Sequence, residues 1–465
     1  MGEPLWAESV TALAPRLRSG ELSPVTLTEL MLERIAAYDG RLKSYVAVAA
    51  EPALRAARRA AAELRAGQWR GPLHGVPIAV KDVFYTTAIP TGLGSPIYRD
   101  WTPPYDSTAT ARLEAAGAVM LGKLTATEGV YAQHHPTIPE PINPFGADLW
   151  TGNSSSGSGV AVAAGLAYAT LGTDTGGSIR LPSACCGLVG VKPTWGRVSR
   201  HGVHPLAESL DHVGPMARSA ADCAALLAVI AGPDPADPTA APTPAPDYLA
   251  EIEGGMAGLR LGVDRAFVEA HATPEVAASL EAAVTVATKL GARVVDVRFP
   301  QTEPILRGWA VQCAVEAARA HRATYPARKA EYGPRLAALL DRGLAHSGLD
   351  LAEALAARRA FTGEMALMFE AIDLLAVPAL PVAGPSLAFM NGLGEDPAAI
   401  LAIGPFTAPF DVCGYPTITL PCGVSAHGAP VGFQFVAKPF AEALLFRAGH
   451  AYQGAAAWHR RRPAL

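Results

Sequence analysis

Gly152-Asn-Ser-Ser-Ser-Gly-Ser-Gly159, followed after Val160–Thr170 by Leu171-Gly-Thr-Asp-Thr-Gly-Gly-Ser-Ile-Arg-Leu-Pro182, decides how this chain is read. Glycine and serine cluster twice with few charges, and the run between the clusters is mostly Ala, Val, Leu and Gly. A flexible Gly/Ser linker would not pass at once into a buried run and then a second Gly-Gly-Ser flanked by Asp174 and Arg180. The pattern predicts two polar loops held by a buried element: a helix over Ser158–Tyr168, then a strand over Ala169–Gly172.

Upstream, Val76–Val80 is an apolar run too short for a helix and reads as a buried strand ending at Lys81. A lysine between apolar residues at the carboxyl end of a core strand stands where α/β proteins place their sites. Ser23-Pro24 opens a helix, a second runs over Pro52–Ala66, and Asp106–Gly117 reads as a capped helix before a strand at Ala118–Leu121. Gly117–Lys123 spells G-x-x-x-x-G-K, but Ala-Val-Met-Leu within it is a strand and Leu124 replaces the magnesium-binding hydroxyl, so no phosphate loop is expected.

Downstream, Leu188–Val191 reads as a strand and Ser219–Ile230 as a helix. A β-α-β unit is expected over Leu259–Val263, Pro274–Leu290 and Ala292–Val297. Residues 303–370 read as mostly helical, Asp373–Val377 and Thr417–Pro421 as strands, and Ala441–Tyr452 as a closing helix. Alternation at both ends implies one α/β core. The expected organisation is a single domain over 1–465: helical wrapping at 1–70, a catalytic core at 71–231, a Pro-rich surface linker at 232–248, a mainly helical inserted segment at 249–371, and a return to the core sheet at 372–465.

The composition is that of a folded protein, half apolar and 17% charged. A net charge of -4 with only short basic runs gives no footprint for nucleic acid. No leader pattern opens the chain and no apolar run is long enough to span a membrane, so a cytoplasmic location without a membrane partner is expected. The six cysteines show neither zinc-type spacing nor disulfide density and read as small buried residues.

Thr175-Gly176-Gly177-Ser178 has the makings of a nucleophile loop: glycines let backbone amides approach a bound carbonyl, and Ser178 attacks from the same turn. Its base is the open question. His134, His135, His201 and His204 stand in no catalytic context, and neither G-x-S-x-G nor H-E-x-x-H occurs. Lysine is the remaining candidate. A free lysine, with a pKa of about 10.4, must be brought close to neutrality, and burial at the end of a core strand supplies that.

Gly75-Val-Pro-Ile-Ala-Val-Lys-Asp82, the Ser-rich loop, Gly172–Ser183 and Gly187-Leu-Val-Gly-Val-Lys-Pro-Thr194 together resemble the amidase signature family, and the match extends to Ser209–Met216 and Phe410–Pro421. The resemblance implies a large mixed β-sheet covered on both faces by α-helices and a Ser-cis-Ser-Lys triad. In it Ser178 is the acyl-forming nucleophile, Ser154, preceded by a cis peptide, is the bridging serine, and Lys81 is the base. The amides of Thr175, Gly176, Gly177 and Ser178 would form the oxyanion hole, with Ser155, Asp174 and Arg180 in support. No cofactor or metal is implied, and the partner is a small-molecule amide or carbamate; enzymes of this type are often homodimers.

The loop departs from the family's usual Gly-Gly-Ser-Ser-Gly-Gly-Ser, with Asn153 and Ser156 replacing two glycines and Gly159 a small residue. Glutaminase subunits of tRNA-dependent amidotransferases, the nearest alternative, usually carry an acid three residues before the Thr of a Thr-x-Pro segment; here Gly404 precedes Thr407. A free-standing amidase acting on a neutral amide, anilide or carbamate is therefore the expectation, with a silent scaffold on the same fold as a third reading. Tyr131, His134 and residues between Ile305 and Met390 could line the substrate pocket, since segments around a core sheet tend to carry specificity.

Overall fold

A run with no polar residue before its last position has no face to give to water, and Pro77–Lys81 accordingly forms a strand, β2, buried at every position. The structure, a computed structural model, describes residues 3–393 and 402–465. Its other strands are β1 (Tyr45–Val48), β3 (Val119–Leu124), β4 (Ala169–Asp174), β5 (Val189–Lys192), β6 (His212–Ala217), β7 (Arg260–Val263), β8 (Arg293–Asp296), β9 (Leu374–Pro378), β10 (Thr417–Val424) and β11 (Pro430–Ala437). They make one mixed sheet in the order β1-β3-β2-β4-β6-β5-β10-β11-β9-β7-β8.

Strand β2 runs parallel to β3 and β4, and β7 parallel to β8 and β9, while every pairing from β4 across to β9 is antiparallel. The central strands β4, β5, β6, β9 and β11 are buried throughout because helices cover both faces, whereas β1, at an edge, alternates half-buried and exposed. The expected α/β class with a large mixed sheet is the observed architecture.

Local chemistry sets most helix limits where the sequence places them. The Ser23 hydroxyl accepts from the Val25 amide at 3.2 Å and caps the helix Pro24–Leu42, with Pro24 in the first turn. Helix Ala50–Arg65 buries Ala53, Ala57, Ala60 and Ala61 at helical spacing and ends just before Gly67, in the left-handed region at φ 77°. Ser107, one residue later than expected, caps Thr108–Ala115.

Other limits move. The helix between the two glycine-rich loops spans Ser156–Ala163, starting and stopping earlier than Ser158–Tyr168. Gly165 breaks it at φ 68°, where a Cβ would meet the Trp6 ring at 2.2 Å. Strand β3 continues through Gly122 to Leu124 and holds Lys123 inside the sheet, where its Nζ donates to the Phe84 carbonyl and Thr91 Oγ1, both at 2.7 Å. The segment 249–371 is mainly helical, with Glu303–Ala320, Pro334–Ala345 and Gly348–Ala371 its longest stretch of helices, yet its strands β7 and β8 also extend the sheet.

Candidate active site

Because β2 and β4 are parallel neighbours, their carboxyl ends bring Lys81 and Thr173-Asp174 to the same edge of the core. Lys81 is fully buried, and its Nζ lies 2.7 Å from Ser154 Oγ and 2.8 Å from Thr173 Oγ1. Neither partner is charged. Burial, opposed by the more distant Asp174 and Asp211 carboxylates, lowers the Lys81 ammonium to about 7. At neutral pH a large fraction of this amine therefore carries a lone pair.

Ser154 enters through a cis peptide bond after Asn153, and its carbonyl accepts from the Thr127 amide at 3.3 Å. Ser155 links the two loops: its amide donates to the Ser178 carbonyl at 3.3 Å and its hydroxyl to the Thr173 carbonyl at 3.2 Å. Ser178 is half-buried, and its hydroxyl bonds to no described residue. Ser154 and Ser178 open on the same cavity, of about 280 Å³.

The second loop is wound around Asp174. Its carboxylate accepts from the amides of Gly177 (2.6 Å), Ile179 (2.9 Å) and Arg180 (3.3 Å), and from Arg180 Nε (2.9 Å) and Nη2 (2.8 Å). Burial alone would raise this carboxyl; the Arg180 guanidinium outweighs it and holds the group far below the usual carboxylate range. Arg180 also donates to the Thr407 carbonyl at 2.8 Å and to the buried Asp411 carboxylate. Behind Thr175, whose hydroxyl donates to Asp211 at 2.6 Å, burial pushes the Asp211 carboxyl up to about 7.

Lys81, Ser154, Ser155, Thr175, Gly176, Gly177, Ser178, Asp174 and Arg180 thus form one contiguous assembly. Among the described residues, no group of three or more His, Cys, Asp or Glu side chains is placed to hold a metal ion, and no helix is long and apolar enough to cross a membrane. Compared with known proteins, residues 26–446 match the family described as Amidase. The chain belongs to this amidase family. AmiD of Mycobacterium tuberculosis, described as a putative amidase, is 46% identical, the alignment covering 98% of this chain and 95% of AmiD. The glutaminase-type component of another system, the A subunit of the glutamyl-tRNA(Gln) amidotransferase of Chloroflexus aggregans, is 39% identical over 98% of each chain. Among solved structures, the native peptide amidase of Stenotrophomonas maltophilia superposes with a TM-score of 0.84 at 32% identity, covering 99% of both chains.

In this amidase the two unusual loop residues tie the loop to the cavity wall. The Asn153 side-chain amide donates to the Ala132 carbonyl, and Ser156 Oγ lies 2.9 Å from His134 Nε2. Burial lowers His134 to about 4, so it is neutral at pH 7. Tyr131 and His134 do line the cavity, as do Leu306, Trp309, Arg335 and Met390 from the 305–390 range. His201 stacks on Tyr105, and His204 lies edge-on to His321, both away from the two serines.

Four residues around the amidase site carry no sequence signal strong enough to single them out as contributors. Thr173 is the second partner of Lys81, two positions before Thr175 in the same loop; Asp211 receives Thr175. Trp309 Nε1 donates to the Thr175 carbonyl and the Thr407 hydroxyl to the Gly176 carbonyl, each at 2.7 Å. Thr173 is the most accessible of the four to sequence reasoning, since β-strand alternation faces it with Lys81 across adjacent strands. Trp309 carries no local signal.

Proposed function

We propose that this amidase is a free-standing hydrolase of a neutral, largely apolar amide, anilide or carbamate, working through an acyl-enzyme on Ser178. Ser178 Oγ attacks the substrate carbonyl while its proton passes to Ser154 Oγ and the Ser154 proton to the neutral Lys81 amine. Return of that proton through Ser154 to the leaving nitrogen breaks the C–N bond. Water then repeats the sequence on the ester, with the same lysine taking and returning the proton.

The observation that carries this reading is Lys81 Nζ at 2.7 Å from Ser154 Oγ in a buried position, with Ser154 and Ser178 on one cavity wall. The oxyanion hole is assigned to the amides of Thr175, Gly176 and Ser178; the Gly177 amide is engaged by Asp174. Asp174 and Arg180 hold the loop, and Ser155 holds the two loops together.

Specificity follows from the wall. Tyr131, Trp150, Leu181, Leu306, Trp309 and Ile403 present mainly apolar surface, and Gly404 offers no carboxylate to a substrate ammonium. Extended identity with the amidotransferase relative keeps a glutaminase role as the second reading.

A panel of glutamine, an aliphatic amide, an anilide and an aryl carbamate, assayed with the purified chain alone and with Ser178→Ala, tests both. Anilide or carbamate turnover that falls by about four orders of magnitude in Ser178→Ala supports the free-standing hydrolase. Glutamine turnover alone, or only with added partner subunits, moves the assignment to the amidotransferase.

A further inference from the structure

The loop Thr175–Ser178 must aim backbone N–H groups at one point, and its own glycines cannot do so, because freedom from a Cβ also frees them to turn away. Two side chains from distant parts of the chain remove that freedom. Trp309, on the helix Glu303–Ala320, donates its Nε1–H to the Thr175 carbonyl at 2.7 Å. Thr407 donates its hydroxyl to the next carbonyl, Gly176, at 2.7 Å.

Within a trans peptide the C=O and the N–H point in opposite directions. The Thr175–Gly176 bond is trans, so fixing the Thr175 oxygen against Trp309 turns the Gly176 N–H away from the indole, where it meets no acceptor among the described residues. By the same rule the Thr407 bond turns the Gly177 N–H away, and that donor ends on Asp174 Oδ1 at 2.6 Å. Of two successive amides, one is thus consumed by the protein and the other reserved. The indole also closes over Gly176: a Cβ there would meet Trp309 Cζ2 at 2.6 Å.

We propose that Trp309 is a positioning residue for the hydrolysis, aiming the Gly176 amide at the developing oxyanion through its bond to the Thr175 carbonyl. This rests on the assignment of Ser178 as nucleophile. Because Trp309 also lines the cavity, an ordinary pocket role would change substrate affinity; aiming a donor changes the transition state more than the ground state.

The test uses Trp309→Phe, and Trp309→3-benzothienylalanine as an isostere that keeps the bicyclic shape and loses only the N–H. Each is assayed on whichever anilide or carbamate the wild type cleaves fastest, and against a trifluoromethyl ketone that forms a tetrahedral adduct. Both variants should lose about 10- to 100-fold in kcat with KM within about 3-fold, and ketone affinity should weaken by a similar factor. Unchanged kcat in the benzothienyl variant, or a loss confined to KM, overturns the proposal even if the Phe variant folds poorly. Ser178→Ala runs alongside: if it retains wild-type turnover, the underlying nucleophile assignment is what fails, whatever the Trp309 variants do.

Discussion

Lys81 owes its chemistry to where β2 stops. At the end of an apolar strand, its amine meets two hydroxyls and no carboxylate, and burial brings it from 10.5 to about 7. If it is the base, kcat/KM should rise with pH through an apparent value near 7 and then level, the value belonging to the coupled lysine and serines together. The same shift has a stability consequence of fixed sign. Between about 7 and 10.5 the unfolded chain binds more protons at this position than the folded one, so the burial penalty is complete below 7 and is relieved as pH rises. Compared with Lys81→Met, wild-type stability from urea denaturation should therefore improve by about 3 kcal/mol between pH 7 and 9.5. A difference that does not change with pH would contradict a buried, neutralised lysine. Lys81, Ser154 and Ser178 were legible because each sits in a motif whose residues are neighbours in sequence. Asp211 and Trp309 were not, because they reach Thr175 only when segments 36 and 134 residues apart are folded together.

Element limits follow packing that the sequence states only indirectly. The helix Ser156–Ala163 is buried at every residue, so it has no amphipathic period, and its real ends depend on what presses against it. Strands β6 and β11 escaped for a related reason: Gly and Pro punctuate both, and only burial on two faces makes them strands. The two glycines inside the helix separate these packing demands. A Cβ at Gly157 would lie 2.5 Å from the Ser44 carbonyl oxygen and 2.6 Å from the Thr125 amide nitrogen, both backbone; at Gly159 the nearest atom is the Pro182 oxygen at 3.1 Å. Alanine favours a helix over glycine by about 1 kcal/mol, but overpacking against rigid backbone costs about 1–3 kcal/mol. Gly157→Ala should thus lower the urea midpoint clearly and Gly159→Ala much less. Equal midpoints for the two variants would show that the Ser44–Thr125 backbone yields and that packing does not fix this helix.

At the scale of the molecule, the strand order divides the sheet at one seam. Strands β1–β6 lie on one side and β7–β11 on the other, joined by antiparallel pairing of β5 with β10. The alternation of strands and helices implies the α/β class, but no periodicity reveals this order, because it is set by long crossovers. The seam runs behind the active site. Lys81, Ser154 and Ser178 belong to the first half, while Trp309, Thr407 and Asp411 come from the second and bond to Thr175, Gly176 and Arg180. Removing one partner from a buried ion pair costs about 3–5 kcal/mol, so the halves should stay together without a covalent link. The Pro-rich connection supplies the place to cut: it is pinned by Arg197 Nη1 to the Thr243 and Pro244 carbonyls, at 3.1 and 3.2 Å, and is exposed at Pro246 and Asp247. A protease site inserted between Pro246 and Asp247 should yield, after cleavage, fragments that co-elute, melt in one transition and keep most of the uncut turnover. The first fragment expressed alone should be inactive despite holding all three proposed catalytic residues, and adding the second should restore turnover. Independent melting of the two fragments, or activity in the first alone, would mean that the loop Thr175–Ser178 does not need the second half to hold its shape.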